Sequence, residues 1–158
     1  MPKRQKVKIL IVDDNESFTN VAKVFLEQKN HYVKVLNVPT EVLDTLKKES
    51  FHIIVLDLKM PGQSGDELLE QIRKVDPHIC VIIVTGYPSI DSALKTMQLK
   101  AFDYLQKPFD MSVLSDVIDR AVAEFGIYTD PQEEIKRIIC TRLRQMRKEN
   151  NYTLKNLS

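Results

Sequence analysis

The segment HIIVLDLKMPGQSG, residues 52–65, decides how the rest of this 158-residue sequence is interpreted. Its four consecutive apolar residues, 53–56, predict a short strand that is buried on both faces of a sheet. The strand stops at an acid, Asp57, and the chain then turns through residues 60–62, Met-Pro-Gly. A carboxylate at the end of a buried strand is costly to place near the core, and the flanking sequence indicates why it is there.

Strand-like and helix-like stretches alternate on both sides of this segment. The strand candidates are runs rich in β-branched residues at 7–12, 31–36, 52–56 and 80–85, with a weaker run at 101–105. Apolar residues at helical spacing lie between them, including Phe18, Val21, Ala22, Phe25 and Leu26 in the first helix and Ile90, Ala93, Leu94 and Met97 in the fourth. Alternation of this kind up to about residue 124 predicts an α/β fold, with parallel strands and helices on both faces.

Composition narrows the class of protein. Apolar residues make up 43% of the chain, enough for a core, and a net charge of +1 gives no large field for nucleic acid or membrane. The first apolar run ends at Asp13, too early for a signal peptide or a membrane span. Cys80 lies in an apolar run, so we expect a buried reduced thiol, and its distance from Cys140 indicates no disulfide framework or metal site. We therefore expect a soluble cytoplasmic protein.

Polar side chains follow the ends of the predicted strands. Asp13 and Asp14 end the first strand, Asp57 ends the third, Thr85 ends the fourth, and Lys107 follows the fifth. Ligands of parallel sheets bind beyond the carboxyl ends of the strands, so these groups should converge at one edge. Three neighbouring carboxylates repel one another unless a cation intervenes, and Mg²⁺ suits a site with few carboxylates and several waters. A carboxylate in such a site can attack phosphorus and form an acyl phosphate, with the metal, the lysine and the hydroxyl stabilising the phosphoryl oxygens.

The sequence resembles the receiver domains of two-component response regulators over about residues 6–125. The matching segments are ILIVDDNESF, VLDLKMPGQSGDELL, VIIVTGYPSIDSALKTM and AFDYLQKPFD, of which the last two are most similar to receivers of the nitrogen-regulator type. The resemblance implies a flavodoxin/CheY-like, doubly wound sheet of five parallel strands in the order 2-1-3-4-5. One departure is Lys100, before Ala-Phe-Asp-Tyr, where those receivers usually have glycine; it affects the geometry toward a partner rather than the chemistry.

The same resemblance implies a role for each residue of the site. Asp57 matches the phosphoryl acceptor, Asp14 a direct Mg²⁺ ligand, Asp13 a ligand mainly through water, and the backbone carbonyl of Lys59 a further ligand. Thr85 matches the switch hydroxyl, Lys107 the lysine that pairs with the phosphoryl group, and Tyr104 the aromatic residue that rotates inward on activation. The resemblance also implies a cis peptide bond between Lys107 and Pro108, which proline permits at modest cost.

Each of these residues has a structural interpretation when taken alone. Asp13 and Asp14 could cap the helix that begins near Asn15, and Asp57 could be a turn residue before Pro-Gly. Thr85 could be a loop hydroxyl, Lys107 a solvated loop lysine and Tyr104 a half-buried packing residue at a strand end. The conjunction of four groups at four strand ends, in the correct order, favours the receiver interpretation.

Aspartyl-phosphate hydrolases of the haloacid-dehalogenase type are a rival that uses the same nucleophile. They carry a second Asp two residues after the first to protonate leaving groups, and Lys59 occupies that position here. Because a lysine cannot act as a carboxylic acid, turnover of external substrates is disfavoured. We expect a phosphoacceptor switch rather than an enzyme, with self-directed phosphotransfer and slow autodephosphorylation only.

The C-terminal part differs in charge from the rest. Residues 1–128 carry 16 basic and 18 acidic side chains, a net charge of −2, whereas residues 129–158 carry 7 and 4, a net charge of +3. After the receiver domain, 1–125, residues 126–131 read as a linker and residues 132–158 as a basic helix. The stretch CTRLRQMRKENNYTLKNLS resembles the opening of a Cro/repressor-type helix-turn-helix, so we expect the truncated beginning of a DNA-binding output domain without its recognition helix. The alternative is a basic helix that serves as a linker or dimer contact.

The sequence therefore predicts a phosphorylation-controlled receiver. A sensor histidine kinase would phosphorylate Asp57, and the face made by the fourth helix, fifth strand and fifth helix would change shape. A homodimer would form through that face or through the C-terminal helix, and DNA would be bound only through a full-length output domain that controls transcription. No membrane partner is expected. The alternative is a stand-alone receiver that binds a partner protein through its C-terminal helix.

Overall fold

The computed structural model describes residues 6–127, Ile139, residues 142–144 and Met146. Five parallel strands in the first of these ranges form one sheet. They are β1 (Lys8–Val12), β2 (Tyr32–Leu36), β3 (Ile53–Asp57), β4 (Cys80–Thr85) and β5 (Asp103–Gln106). The order is β2-β1-β3-β4-β5, which confirms the predicted α/β fold and its topology.

Helices connect the strands of this sheet. They are α1 (Glu16–Gln28), α2 (Val42–Lys48), α3 (Gly65–Val75), α4 (Ile90–Gln98) and α5 (Met111–Phe125). Polar residues begin three of them, because the side chains of Asn15, Ser64 and Ser89 accept hydrogen bonds from first-turn N–H groups of α1, α3 and α4. The turn predicted after β3 is a small hairpin in which Lys59–Met60 pairs with Gln63–Ser64.

The core has two layers because successive side chains of a strand point to opposite faces of the sheet. Ile9 and Ile11 of β1 lie on the face covered by α1 and α5, whereas Leu10 and Val12 lie on the face covered by α2 and α3. The central strand β3 is buried at every residue. Its carboxyl end is therefore the point where this part of the chain leaves the core and meets the edge of the sheet.

Cys80, the first residue of β4, is a buried free thiol, as expected. Burial raises its pKa to about 12. A thiol with so high a pKa holds almost no thiolate at neutral pH, so it packs as a small apolar residue.

Helix α4 presents its apolar residues to solvent. Ile90, Leu94 and Met97 are 80%, 53% and 69% exposed, and the buried residue of this helix is Thr96. The predicted helical spacing is present, but spacing shows only that residues share a face and not which way the face points. The apolar face of α4 thus lies outside the core.

The fifth strand begins two residues later than the prediction. Lys100 has a left-handed φ of 63°, and the N–H of Ala101 donates to the carbonyl oxygen of Thr96 at 2.9 Å. These contacts close α4 before the strand starts. A left-handed backbone favours glycine, so Lys100 adopts a conformation that is costly for a residue with a Cβ.

Helix α5 ends at Phe125, and Gly126 follows with a left-handed φ of 68°. Most of the predicted linker, 126–131, and of the predicted start of a helix-turn-helix, 132–158, lies outside the described residues. Ile139, residues 142–144 and Met146 have helical backbone and exposed side chains. In the described part of the chain, no helix combines the length and apolarity needed to cross a membrane.

Candidate functional site

Asp57 lies at the carboxyl end of β3 and is only 5% exposed. Its Oδ1 accepts a hydrogen bond from the N–H of Lys59 at 3.3 Å, so the carboxylate is oriented by the loop that follows the strand. The Nζ of Lys59 lies 4.4 Å from the ring centroid of Tyr87. The predicted acceptor is thus held at the boundary between the core and the sheet edge.

Gly65, the first residue of α3, lets that helix approach the same strand end. Its N–H donates to the carbonyl oxygen of Leu58 at 2.8 Å. A Cβ at position 65 would lie 2.5 Å from the carbonyl oxygen of Asp57 and 2.5 Å from Cα of Leu58. Sequence analysis did not single out Gly65, because nothing local separates it from an ordinary turn glycine.

Asp13 and Asp14 come from the end of β1, directly beside β3. Asp13 is fully buried and Asp14 is exposed. The N–H of Asn15 donates to Oδ1 of Asp13 at 2.9 Å, and the amide of Asn37 donates to the backbone carbonyl of Asp13 at 2.9 Å. Asn37 follows β2 and was also missed, since its role depends on a contact between two different strand ends.

The three predicted acids form one cluster. One carboxylate oxygen from each of Asp13, Asp14 and Asp57 lies within 4.8 Å of the other two. Burial, followed by the nearby charge of Asp13, raises the pKa of Asp57 from 3.8 to about 7, against the opposing effect of Lys107. The charged form of Asp57 is therefore costly unless a positive charge is added close to it.

Lys107 reaches this cluster from the end of β5. Its Nζ forms an ion pair and hydrogen bond with Oδ2 of Asp13, and it also lies 4.3 Å from the ring centroid of Phe18 on α1. The peptide bond to Pro108 is cis, as the resemblance implied. Lys107 therefore joins the predicted site, with Asp13 as its acid partner among the described residues.

Thr85 and Tyr104 occupy the side of the site toward α4. Thr85 is fully buried at the end of β4, and its Oγ1 accepts a hydrogen bond from the N–H of Tyr87 at 3.0 Å. Tyr104 on β5 is half-buried, and its hydroxyl lies 2.8 Å from Oγ of Ser92 on α4. The phenol thus contacts the helix that carries the exposed apolar face.

The donor set fits a hard divalent cation. Asp13, Asp14 and Asp57 offer carboxylate oxygens, the ligands that Mg²⁺ prefers, and Asp14 is exposed so that a hydrated ion can enter. Burial and then the charge of Asp13 raise the pKa of Asp57, so a cation placed in the cluster would favour its ionised form. The chemistry of the residues therefore suits Mg²⁺ with part of its water shell retained.

Comparison with known proteins matches residues 9–119 to the family model of the response regulator receiver domain. The chain is 34% identical over 122 residues to the DNA-binding transcriptional regulator NtrC of Klebsiella pneumoniae, covering 77% of this chain and 26% of that protein. It is 30% identical over 130 residues to the transcriptional regulatory protein ZraR of Klebsiella oxytoca, covering 82% and 29%. The chain thus spans less than a third of the length of either relative.

Solved structures show the same architecture. A CheY-like response regulator receiver domain protein from Methanospirillum hungatei JF-1 matches with a TM-score of 0.74 and 31% identity, over 76% of this chain and 96% of that chain. A response regulator receiver domain protein from Clostridium thermocellum matches with a TM-score of 0.71 and 34% identity, over 77% and 98%. The similarity therefore extends over nearly the whole length of each of those chains.

Proposed function

The chain belongs to the response regulator receiver domain family, and on that premise we propose that it is a phosphorylation-controlled switch with Asp57 as its acceptor. The observation that carries the proposal is the cluster of Asp13, Asp14 and Asp57 at adjacent strand ends, with Lys107 beside it. A nucleophile, a set of cation ligands and a fixed positive charge are the groups that phosphoryl transfer to a carboxylate requires.

In the proposed reaction, a carboxylate oxygen of Asp57 attacks the phosphorus of a phosphohistidine on a sensor histidine kinase. A P–O bond forms to give an acyl phosphate, and the P–N bond breaks with its electron pair returning to the histidine nitrogen. Burial disfavours the ionised, nucleophilic form of Asp57, so positive charge beside it promotes attack. Mg²⁺, held by Asp13, Asp14, Asp57 and the carbonyl of Lys59, would supply that charge when bound.

Lys107 and Thr85 are the residues that would stabilise the phosphoryl group. The ammonium of Lys107 would exchange its contact with Asp13 for a phosphoryl oxygen, because the new group carries more negative charge than one carboxylate. Since the Thr85 hydroxyl accepts a hydrogen bond from the N–H of Tyr87, its own proton is available to donate to phosphate.

Tyr104 would transmit the change to the surface. Its hydroxyl contacts Ser92 on α4, so an inward rotation breaks this contact and alters the packing of α4 on β5. The exposed apolar residues Ile90, Leu94 and Met97 lie on the same helix. The face of α4, β5 and α5 is therefore the proposed surface for a second receiver or for an output domain.

The proposed output is control of transcription through a DNA-binding domain. The names of NtrC and ZraR describe transcriptional regulators, and the chain corresponds to under a third of each. The runner-up is a stand-alone receiver that acts by binding a partner through its C-terminal helix. A reading frame that continues past Ser158 into a third helix with a basic, polar face would favour the first alternative, and its absence would favour the second.

We propose that the protein does not act as an enzyme on external substrates. Lys59 occupies the position at which haloacid-dehalogenase-type hydrolases carry their acid, and its side chain extends toward Tyr87. The remaining chemistry is acceptance of a phosphoryl group by Asp57 and slow hydrolysis of the product.

Incubation of the whole chain with acetyl phosphate and Mg²⁺ tests the proposal. Intact-mass measurement should show the addition of one phosphoryl group, and Asp57→Asn should abolish it. Asp116→Asn removes an exposed acid of α5 and should retain the full labelling. Labelling that persists in Asp57→Asn would place the acceptor elsewhere.

A further inference from the structure

The ammonium of Lys107 has a second partner besides Asp13. Nζ lies 4.3 Å from the ring centroid of Phe18, a half-buried residue in the first turn of α1. The ring of Phe18 in turn makes an edge contact with the ring of Phe109, with centroids 5.9 Å apart and an interplanar angle of 81°. The ring of Phe18 thus contacts both Lys107 and Phe109, which lies two residues after that lysine.

The two partners hold the ammonium in different ways. Asp13 accepts a hydrogen bond from Lys107, which ties one N–H to one oxygen. An aromatic face attracts a cation through its quadrupole, over the area of the ring, and leaves the N–H donors available. A lysine held by a ring can therefore change its oxygen partner without returning to solvent. The side chain of Lys107 is only 18% exposed, in agreement with this.

We propose that Phe18 is a positioning residue for Lys107, keeping the ammonium at the sheet edge while its oxygen partner changes from Asp13 to the phosphoryl group on Asp57. The proposal rests on the proposed function of Asp57 as acceptor. It gives Phe18 a role that its place in the apolar spacing of α1 does not indicate, since that spacing predicts only packing against the core.

Three substitutions separate positioning from packing. Phe18→Leu keeps an apolar side chain against the α1 and α5 layer but removes the ring, and Phe18→Tyr keeps the ring. Phe25→Leu is the matched control on the same helix, because Phe25 also carries a lysine over its ring, Lys29 at 5.6 Å. The core contact of Phe25 resembles that of Phe18, since both are partly buried against the same cluster.

Phosphorylation of the whole chain by acetyl phosphate with saturating Mg²⁺ is the first measurement. Phe18→Leu should slow phosphoryl transfer roughly three- to tenfold, in line with the strength of a cation–π contact, and Phe18→Tyr should restore most of the rate. Phe25→Leu should match the wild type. In the background of Lys107→Met, Phe18→Leu should have no further effect, because the group it positions is gone. Equal rates in Phe18→Leu and wild type, or equal slowing with and without Lys107, would overturn the proposal.

Nuclear magnetic resonance gives a readout that needs no phosphorylation. The ε-methylene protons of Lys107 should be shifted upfield by the ring of Phe18 and should move toward random-coil values in Phe18→Leu but not in Phe25→Leu. An unshifted Lys107 in the wild type would remove the contact and with it the proposal. If the wild type took up no phosphoryl group while this shift was present, the proposed function of Asp57 would fail, and the role of Phe18 in phosphoryl transfer would fail with it, although the contact itself would stand.

Discussion

Lys107 and Asp13, 94 residues apart in the sequence, form an ion pair at the edge of the sheet. Asp13 is fully buried, and it is also one of the three acids proposed to hold Mg²⁺. A bound metal ion would therefore compete with the lysine for the same carboxylate. Lys107 thus partly neutralises the acid cluster, and the proposed phosphoryl transfer would require this ion pair to rearrange.

Removal of the lysine should have opposite effects on stability and on metal binding. Lys107→Met should lower the free energy of unfolding by about 1–3 kcal/mol in EDTA, because Asp13 stays buried without its cation. The same change should tighten Mg²⁺ binding, since the competing charge is gone. Urea unfolding by circular dichroism and calorimetric titration with Mg²⁺ measure the two effects. Lys47→Met, at an exposed position of α2, is the control, and weaker Mg²⁺ binding in Lys107→Met would contradict the competition.

Stability should depend on pH through Asp57. Its pKa rises from 3.8 to about 7 on folding, so its contribution to stability is complete below about pH 4 and is lost as the pH rises through about 7. At about pH 8.5 without metal, the free energy of unfolding of Asp57→Asn should exceed that of the wild type by about 2–4 kcal/mol. This difference should vanish near about pH 4. Urea unfolding in EDTA across this range measures it. A difference between the two free energies of unfolding that stayed constant at every pH would contradict the raised pKa of Asp57. Asp116→Asn is the control, and its free energy of unfolding should depend on pH as that of the wild type does.

Gly65 should be required for the geometry of Asp57. Gly65→Ala places a Cβ 2.5 Å from backbone atoms of Asp57 and Leu58, which cannot move aside as a flexible side chain would. We expect a loss of about 2–4 kcal/mol in the free energy of unfolding, together with slower phosphorylation. Gly86→Ala is the matched control at the end of β4, because its added Cβ meets nothing within 4 Å. Similar losses from both substitutions would mean that the close approach of α3 is unimportant.

The contact between Tyr104 and Ser92 should contribute to the resting conformation of α4. Tyr104→Phe and Ser92→Ala should each lower the free energy of unfolding by about 0.5–1.5 kcal/mol, because each removes the partly buried hydrogen bond between the two side chains. Ser92→Ala also removes the contacts of the Ser92 hydroxyl with Ser89, so its loss should be the larger of the two. The double variant should lose no more than about the larger single loss. Urea unfolding of the wild type, the two single variants and the double variant measures this double-mutant cycle. Fully additive losses would show that the two hydroxyl groups act independently.

The order of apolar strands and the polar residues at their ends could be predicted because both are local patterns. A run such as residues 53–56 fixes a buried strand, and a parallel sheet brings every carboxyl end to one edge. Asp13, Asp14, Asp57 and Lys107 therefore converge in the structure as the pattern predicts. The chemical roles assigned to these residues, to Thr85 and Tyr104 and to the Lys59 carbonyl stay predictions.

Contacts between strand ends could not be predicted in the same way. That Lys107 pairs with Asp13, that the ring of Phe18 covers this lysine, and that Gly65 touches the backbone of Asp57 all depend on the position of one element over another. The helical spacing of apolar residues also did not show whether the apolar face of α4 points toward the core or toward solvent.

The sequence alone determined which residues reach the edge of the sheet, because parallel strands bring all their carboxyl ends to one edge whatever the strand order. Only the tertiary structure decided which of those residues touch, because distances of a few ångströms across separate elements are set by packing and not by spacing along the chain. The pairing of Lys107 with Asp13 and Phe18 belongs to that second kind of information.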